Sequence, residues 1–433
     1  LQIQLFDQYE IHALNTDLHV LQALQAALSK SDRQITVAIY TDIEDQHQII
    51  AVWPGIKERV YGLAVDLGST TVAAHLCDLN SSEVVSSASV MNPQIRFGED
   101  LMSRVSYVMM NEGGDKEMSL AVRKAFNEMA QSAAQKAGVA LEDILELTVV
   151  CNPIMHHLFL GIDPTPLGSA PFALATDRSV TLTCAELDIH LHPQARCFVL
   201  PCIAGHIGAD TAGVILAERP DLADEVTLIV DVGTNAEVVL GNKERLLAAS
   251  SPTGPAFEGA QISCGQRAAI GAIERVRIDP DTLEPRFKII GCDLWSDDPG
   301  FAAKTRRIGI SGVCGSGIIE VLAELFLAGV IDSDGVISPA MADRSPRIVA
   351  NGRSITQNDV RAIQLAKAAL YAGTQLLLDH LGIKKVDRIS LAGAFGSHID
   401  VKYAMILGLI PDCDLSKVGP VGNAAGTGAR IAL

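Results

Sequence analysis

VDLGSTT, residues 65–71, ends an apolar strand in an aspartate and turns at once through a glycine into three hydroxyl side chains. A single Asp-x-Gly of this kind most simply makes a turn whose side chain is satisfied locally. The stretch is answered further along by VDVGTNA, residues 230–236, and each copy runs on into a second strand. Asp66 pairs with Asp231 and Gly68 with Gly233, a separation of 165 residues (231 minus 66), which is about the length of one domain. The repeat predicts two related lobes, each opening on the same hairpin.

The residue types in the hairpin suit a phosphate group. Backbone N–H groups of Gly68, Ser69 and Thr70, with Thr71 beside them, can converge on phosphate oxygens, and glycine leaves no Cβ in the way. Gly233, Thr234 and Asn235 occupy the same places in the second copy. A carboxylate repels phosphate, so Asp66 and Asp231 are the catalytic and metal candidates: they hold Mg2+ through its waters, or orient an attacking water. Neither a Walker G-x-x-x-x-G-K-[ST] loop nor a G-x-G-x-x-G fingerprint opens a strand-helix unit, so the nucleotide is expected between the two hairpins.

Three further stretches fit the same cleft. In SLAGAFGSHI, residues 390–399, Gly393, Ala394, Phe395 and Gly396 follow a strand and leave room for a flat adenine or ribose; a glycine-capped strand end is the plainer alternative. SSPTGPAFEGAQISCG, residues 250–265, is a long special loop of the kind that carries function, with Gly254 and Glu258 as its binding candidates. GVCGSGII, residues 312–319, places Gly312 and Gly315 before a helix, either as an N-terminus facing phosphate or as a hinge.

The bulk numbers agree with a large globular protein. At 433 residues the chain has room for two or three domains, and 48% hydrophobic against 20% charged residues excludes disorder. The 34 basic and 51 acidic residues give a net charge of −17, which repels nucleic acid and leaves an anionic cofactor to amides, a metal or a local basic patch. No apolar run is long enough for a membrane span, and no signal sequence opens the chain, so a cytoplasmic protein is expected. The nine cysteines are dispersed without metal or cluster spacing, and most read as buried, reduced thiols.

Along the chain, residues 1–58 form a small separate unit. Thr16 is positioned to cap a helix with Leu18, Leu21, Leu24 and Leu28 on its apolar face, and ITVAIY and QIIAVW follow as strands. A first lobe over 59–225 opens with a meander of three antiparallel strands. It continues with a helix whose apolar positions Met118, Val122, Phe126, Met129 and Ala133 end at Gly138, and then the strand ELTVVCN. The second lobe takes 226–433.

The motifs, in this order, resemble the ASKHA superfamily of acetate and sugar kinases, Hsp70 chaperones and actin. By that likeness VDLGSTT is phosphate-1, VDVGTNAEV phosphate-2, GVCGSGII connect-2 and LAGAFGSHI the adenosine motif. The resemblance implies an α/β fold, a two-lobed actin-like or Hsp70-like ATPase built from duplicated ribonuclease H-like lobes, with a small N-terminal α+β domain. Over residues 61–433 the chain is more closely similar to the ATP-dependent reductive activators of corrinoid proteins, through NPQIRFGEDLMSRV, CNPIMHHLFLG, PTGPAFEGAQISCG, DVRAIQLAKAAL and LGLIPDCDLSKVGPVGNAAGTGA. Such activators use ATP to drive an electron from an iron-sulfur cluster onto Co(II) of a corrinoid protein, giving Co(I). The resemblance thus implies ATP and Mg2+ as cofactors, a corrinoid protein of a methyltransferase system as partner, and a homodimer. Its 2Fe-2S cluster belongs to a domain upstream, or in related activators downstream, that this chain does not carry; beginning at Leu1, the chain is read as the ATPase portion and small middle domain of a longer polypeptide.

Two other functions stay open at this level. A small-metabolite kinase of the acetate or sugar kinase type would use the same cleft. A nucleotide-gated assembly or chaperone module is the third reading. Several polar residues have a plain structural explanation as well. His156 and His157 read as core or interface, and His190 and His192 as neighbours on one strand face without a third metal ligand. Cys264 and Cys314 read as small fillers of tight loops, and Lys367 either reaches solvent or approaches nucleotide.

Overall fold

A computed structural model describes residues 2–9, 11, 14–42, 44–233, 235–338 and 354–433. The chain divides into two compact units, Leu1–Leu216 with Ala425–Leu433, and Ala217–Ala424. The last nine residues, assigned by sequence to the second lobe, thus pack in the first unit.

The first unit opens with a three-stranded sheet in the order β1-β3-β2, from β1 (Asn15–Thr16), β2 (Ile35–Thr41) and β3 (His47–Pro54). The helix Leu18–Lys30 covers it, but its face differs from the expectation. Asp17 stands at the N-cap position without a capping hydrogen bond, Thr16 lies in β1, and the buried residues are Val20 and Ala27. Leu18 and Leu21 are exposed. The helix is apolar on two sides, so periodicity alone permits either, and packing against Leu5 and Ile49 selects Val20. The opposite side of this sheet rests on the first lobe, where Ile50 and Ala51 meet Leu145 and Lys57 pairs with Asp143 at 2.7 Å.

The lobe itself is a six-stranded mixed sheet in the order β6-β5-β4-β7-β9-β8, from β4 (Tyr61–Leu67), β5 (Thr71–Asp78), β6 (Val84–Met91), β7 (Ile144–Cys151), β8 (Val180–Thr183) and β9 (Arg196–Val199). β4, β5 and β6 form the antiparallel meander, and β7 and β9 run parallel to β4. The helix Gly114–Ala137 buries Met118, Val122, Phe126, Met129 and Ala133 against the sheet and ends at Gly138, whose φ of 68° is the left-handed geometry of a helix stop. His190 and His192 do not lie on a strand: the chain there is irregular, with His190 exposed and His192 buried.

The second unit repeats the plan. Its five-stranded sheet has the order β12-β11-β10-β16-β17, from β10 (Thr227–Val232), β11 (Ala236–Gly241), β12 (Leu246–Ser251), β16 (Arg388–Ala392) and β17 (Val418–Gly422). Again the first strand pairs antiparallel with the hairpin strand and parallel with the strand on its other side. The order β6-β5-β4-β7-β9 in one unit and β12-β11-β10-β16-β17 in the other is therefore one topology used twice.

Between β12 and β16 the chain adds a smaller sheet, β14-β13-β15, from β13 (Ala272–Ile278), β14 (Pro285–Ile289) and β15 (Gly312–Val313), together with the helix Gly315–Leu327. Along β13, β15 reaches Ala272 and Ile273 and goes no further, which leaves the later amides of β13 facing the helix. Glu320 and Glu324, one helical turn apart, take them: Val276 N donates to Glu320 at 2.8 Å and Ile278 N to Glu324 at 2.8 Å. Fully buried Glu320 also accepts from Arg275 at 2.7 Å and Arg277 at 2.5 Å, and the Tyr403 hydroxyl donates to Glu324. Two carboxylates thus stand in for a missing strand.

The helix Ala424–Ala432 returns to the first unit. Gly428 crosses Gly213 of the helix Ala209–Glu218 so closely that a Cβ on Gly428 would lie 1.9 Å from Gly213 O, and the Leu433 side chain fills the place a Cβ on Gly62 would take. Here glycine is required for contact between backbones. All nine cysteines are free, and all but the half-buried Cys413 are buried.

Candidate functional site

In the first unit Asp66 lies at the end of β4, opposite Ala73 on β5 and Val150 on β7, and is half-buried. The turn Gly68–Ser69–Thr70 is held by its carbonyls. Asn92 Nδ2 donates to Gly68 O at 2.8 Å, Asn92 N to Thr70 O at 2.8 Å, and the Arg104 guanidinium to Ser69 O. Backbone acceptors for the Gly68, Ser69 and Thr70 amides are absent among the described residues, so the turn keeps three donors available. A Cβ on Gly68 would stand 2.6 Å from Thr71 O, which explains the glycine.

Two residues of this site were not singled out from sequence. Arg104 is fully buried and donates to Gly98 O as well as to Ser69 O; burial brings its pKa down to about 10, so a positive charge is fixed beneath the turn. Asp210, at the start of the helix Ala209–Glu218, lies with Asp66 about the buried Cys151 thiol. Burial first, then Cys202, Asp210 and Asp66, push that thiol up. Burial also raises Asp210 to about 6, against the hydrogen bond it accepts from Thr211 N at 2.8 Å. A Cβ on Gly208 would fall 2.5 Å from Cys151 O and 2.7 Å from Asp210 Oδ1, so this glycine lets helix and strand end meet. The signal in sequence was the run Gly208-Ala209-Asp210 at a helix start, too short to separate from a cap. The site lies at the carboxyl ends of parallel strands β4 and β7, the usual place for a ligand in such sheets.

In the second unit Asp231 lies opposite Glu237 on β11 and Ala392 on β16. The chain leaves β16 through Gly393, at φ 79°, and a Cβ there would stand 2.5 Å from Asp231 Oδ1. The VDVG hairpin and the GAFG turn, far apart in sequence, are thus adjacent in space. The turn is the one-turn helix Gly393–Gly396; the side chains of Ala394 and Phe395 lie outside the described residues. Thr234 also lies outside them. The Gly233 amide donates to Asn235 O at 3.0 Å, so that one donor is used within the second hairpin.

Gly254, at φ 69°, opens the turn Pro255–Glu258, in which Glu258 is half-buried. Asp359 ties the same loop to the long helix Gln357–Leu381 by accepting from Ser263 N at 2.7 Å. Gly312 and Gly315 are buried, and a Cβ on Gly312 would meet Gln266 and Cys264 O, so close packing accounts for that glycine. Cys314 likewise packs, its thiol donating to Ile273 O at 3.3 Å. Lys367 lies along the Gly408 turn. His157 is bonded to Pro153 O and Ala175 N, while both ring nitrogens of buried His156 lack a partner.

One mixed sheet used twice, each copy ending its first strand in an aspartate, defines the ASKHA class of actin-like ATPase folds. Family models assign residues 1–59 to the RACo linker region, 61–221 to the RACo middle region, and 225–433 to the C-terminal domain of RACo, the ASKHA domain. The chain belongs to this RACo family of reductive activators. It is 34% identical over 403 residues to the corrinoid activation enzyme RamQ of Eubacterium limosum, covering 87% of this chain and 65% of that protein. It is 26% identical over 386 residues to the [Co(II) methylated amine-specific corrinoid protein] reductase of Methanosarcina barkeri, covering 84% and 68%. A solved reductive activator for corrinoid, iron-sulfur protein superposes with a TM-score of 0.81 at 32% identity, over 99% of this chain and 69% of that one. The chain therefore spans about two thirds of the length of these three proteins.

Proposed function

We propose that the chain is the ATP-using part of a cytoplasmic reductive activator, which returns the Co(II) of a corrinoid methyltransferase protein to Co(I). The observation that carries the reading is the kinship with RamQ together with the twice-used aspartate hairpin. The electron would come from a 2Fe-2S cluster outside these 433 residues, and the resemblance carries a homodimer in the same reading.

In this reading the Gly68, Ser69 and Thr70 amides receive phosphate oxygens while Arg104, behind them, offsets part of the incoming charge. Mg2+, when bound with ATP, would supply Lewis-acid charge neutralisation at the phosphates. Among the described residues no three His, Cys, Asp or Glu side chains gather into a metal cage. That suits Mg2+, which keeps its waters and takes one or two carboxylates. Asp66 and Asp231 are the carboxylates proposed for it. Asp210, held up at about 6, is proposed to accept a proton from the attacking water. Gly393 leaves the Asp231 carboxylate the space a Cβ would take, and it opens the turn proposed for the adenosine.

The test is ATP hydrolysis by the chain with and without a Co(II) corrinoid protein, read beside cobalt reduction in the polypeptide that carries the cluster. Asp66→Asn, Asp210→Asn and Asp231→Asn should each lower hydrolysis by about a hundredfold or more. Normal turnover in Asp231→Asn would overturn the reading, and a phosphorylated small molecule as product would overturn it in favour of a kinase.

A further inference from the structure

Strands β13 and β14 bring four cations onto one face of the small sheet in the second unit. Their register sets Arg275 opposite Lys288 and Arg277 opposite Arg286, while Val276 and Phe287 between them turn to the core. Like charges directly opposite on paired strands repel, so two such rungs in succession work against the fold. They do so in a chain whose net charge is −17.

The carboxylates of the second unit answer the two strands unevenly. On the inner strand Glu320 accepts from both Arg275 and Arg277, and Asp400 lies 3.8 Å from Arg277. On the outer strand Arg286 has Asp297 at 3.9 Å, an exposed pair beyond hydrogen-bond length, and Lys288 has no ion-pair partner among the described residues. Trp295 lies over the same face, its ring centre 4.9 Å from the Arg286 guanidinium, 5.2 Å from the Lys288 ammonium and 5.8 Å from the Arg277 guanidinium. The turn that carries it is fastened to the outer edge of β14. Phe287 N donates to Ser296 Oγ at 3.0 Å, Ser296 N donates to Phe287 O at 2.8 Å, and Trp295 N donates to Asp298 at 2.8 Å. Cations and indole are therefore held in one fixed group.

We propose that this ladder is a docking surface for a short acidic segment of a protein partner. Its two rungs are about 6.8 Å apart, at 3.4 Å per residue, which is also the spacing of alternate side chains in an extended segment. Carboxylates at every second position of such a segment meet one rung each, and Trp295 supplies an apolar flank of the kind that anchors interfaces. Charge and geometry select the occupant. A guanidinium takes a carboxylate through two parallel N–H donors, whereas four cations do not offset a charge of −17 for a long phosphate backbone. The proposal is independent of the ATP and corrinoid readings.

The test is a titration of the full chain with an octaglutamate peptide in a Trp53→Phe background, where Trp295 is the one remaining tryptophan and reports by its emission. Emission should change saturably with octaglutamate and not with octalysine, and added salt should weaken the binding. Arg286→Gln combined with Lys288→Gln should weaken it by at least about tenfold while the urea midpoint stays or rises, because two of four like charges are gone. No saturable change, or equal affinity in the double variant, would overturn the surface. A lower urea midpoint in the double variant would assign the two cations to the fold and overturn it too. An RNA octamer that outcompetes the peptide would overturn the protein occupant.

Discussion

Removing the Glu320 carboxylate tests whether side chains complete the small sheet of the second unit. Glu320 is wholly buried and accepts from Val276 N and from both Arg275 and Arg277, whose side chains are about a third exposed. In Glu320→Ala the Val276 amide loses its acceptor inside the protein, at about 1–3 kcal/mol. Two guanidiniums also lose their shared anion; being partly exposed they regain water, so the total should be about 3–5 kcal/mol, the range for breaking a buried pair. Glu320→Gln keeps an acceptor for Val276 and loses only the charge, so about half that cost is expected. Urea unfolding gives the totals, and amide hydrogen exchange at Val276 and Ile278 gives the local effect. Val276 should lose protection in Glu320→Ala, while Ile278, bonded to Glu324, should lose less. A Glu320→Ala variant within about 1 kcal/mol of the unaltered chain, with Val276 still protected, would refute the substitution of carboxylates for a strand.

Two other expectations concern single positions. Gly393→Ala places a Cβ against Asp231 at a backbone φ of 79°, and should cost about 1–2 kcal/mol in stability while reducing ATP hydrolysis; full activity would show that Asp231 does not need the space Gly393 leaves. His156→Phe removes two unpartnered nitrogens from the core and should raise stability by about 1 kcal/mol in urea unfolding, whereas a loss would mean the imidazole is bonded in solution. The same residue sets a pH dependence. Burial, then His157, brings His156 to about 4, and burial, then His19, does the same for His192, from an ordinary value of 6.5. Above pH 6.5 both folded and unfolded imidazoles are neutral. Between 6.5 and about 4 the unfolded chain takes up protons that the folded chain refuses, so stability should fall with acid and level off below 4. Asp210, raised to about 6, works in the opposite direction over that window, favouring the fold as it protonates. His156→Phe should flatten the acid loss, and an unchanged slope would exclude His156 as its source.

What was legible in sequence was local or repeated. The hairpins at Asp66 and Asp231 declare themselves because alternation, an acid and a glycine occur twice in the same order, and the helix ending at Gly138 because one face of it is plainly apolar. The failures have a common cause in tertiary choice. In Leu18–Lys30 two faces are apolar, and only Ile49 and Leu5 decide that Val20 goes inward. Arg104 and Asp210 reach the site through contacts with Ser69 O and Cys151, which no spacing along the chain encodes. At Gly312 a tight packing contact and a phosphate turn call for the same missing side chain, so sequence alone does not separate the two.

The crossing of Gly428 over Gly213 and the seating of Leu433 on Gly62 set an order on biosynthesis. Residues 217–424 contain the whole of the second unit and leave the ribosome before the helix Ala424–Ala432 does. The first unit, though synthesised earlier, keeps the Gly213 face of its helix and the Gly62 strand uncovered until residues 425–433 are made. A nascent chain stopped at residue 424 would carry every residue of the second unit and an unfinished first one.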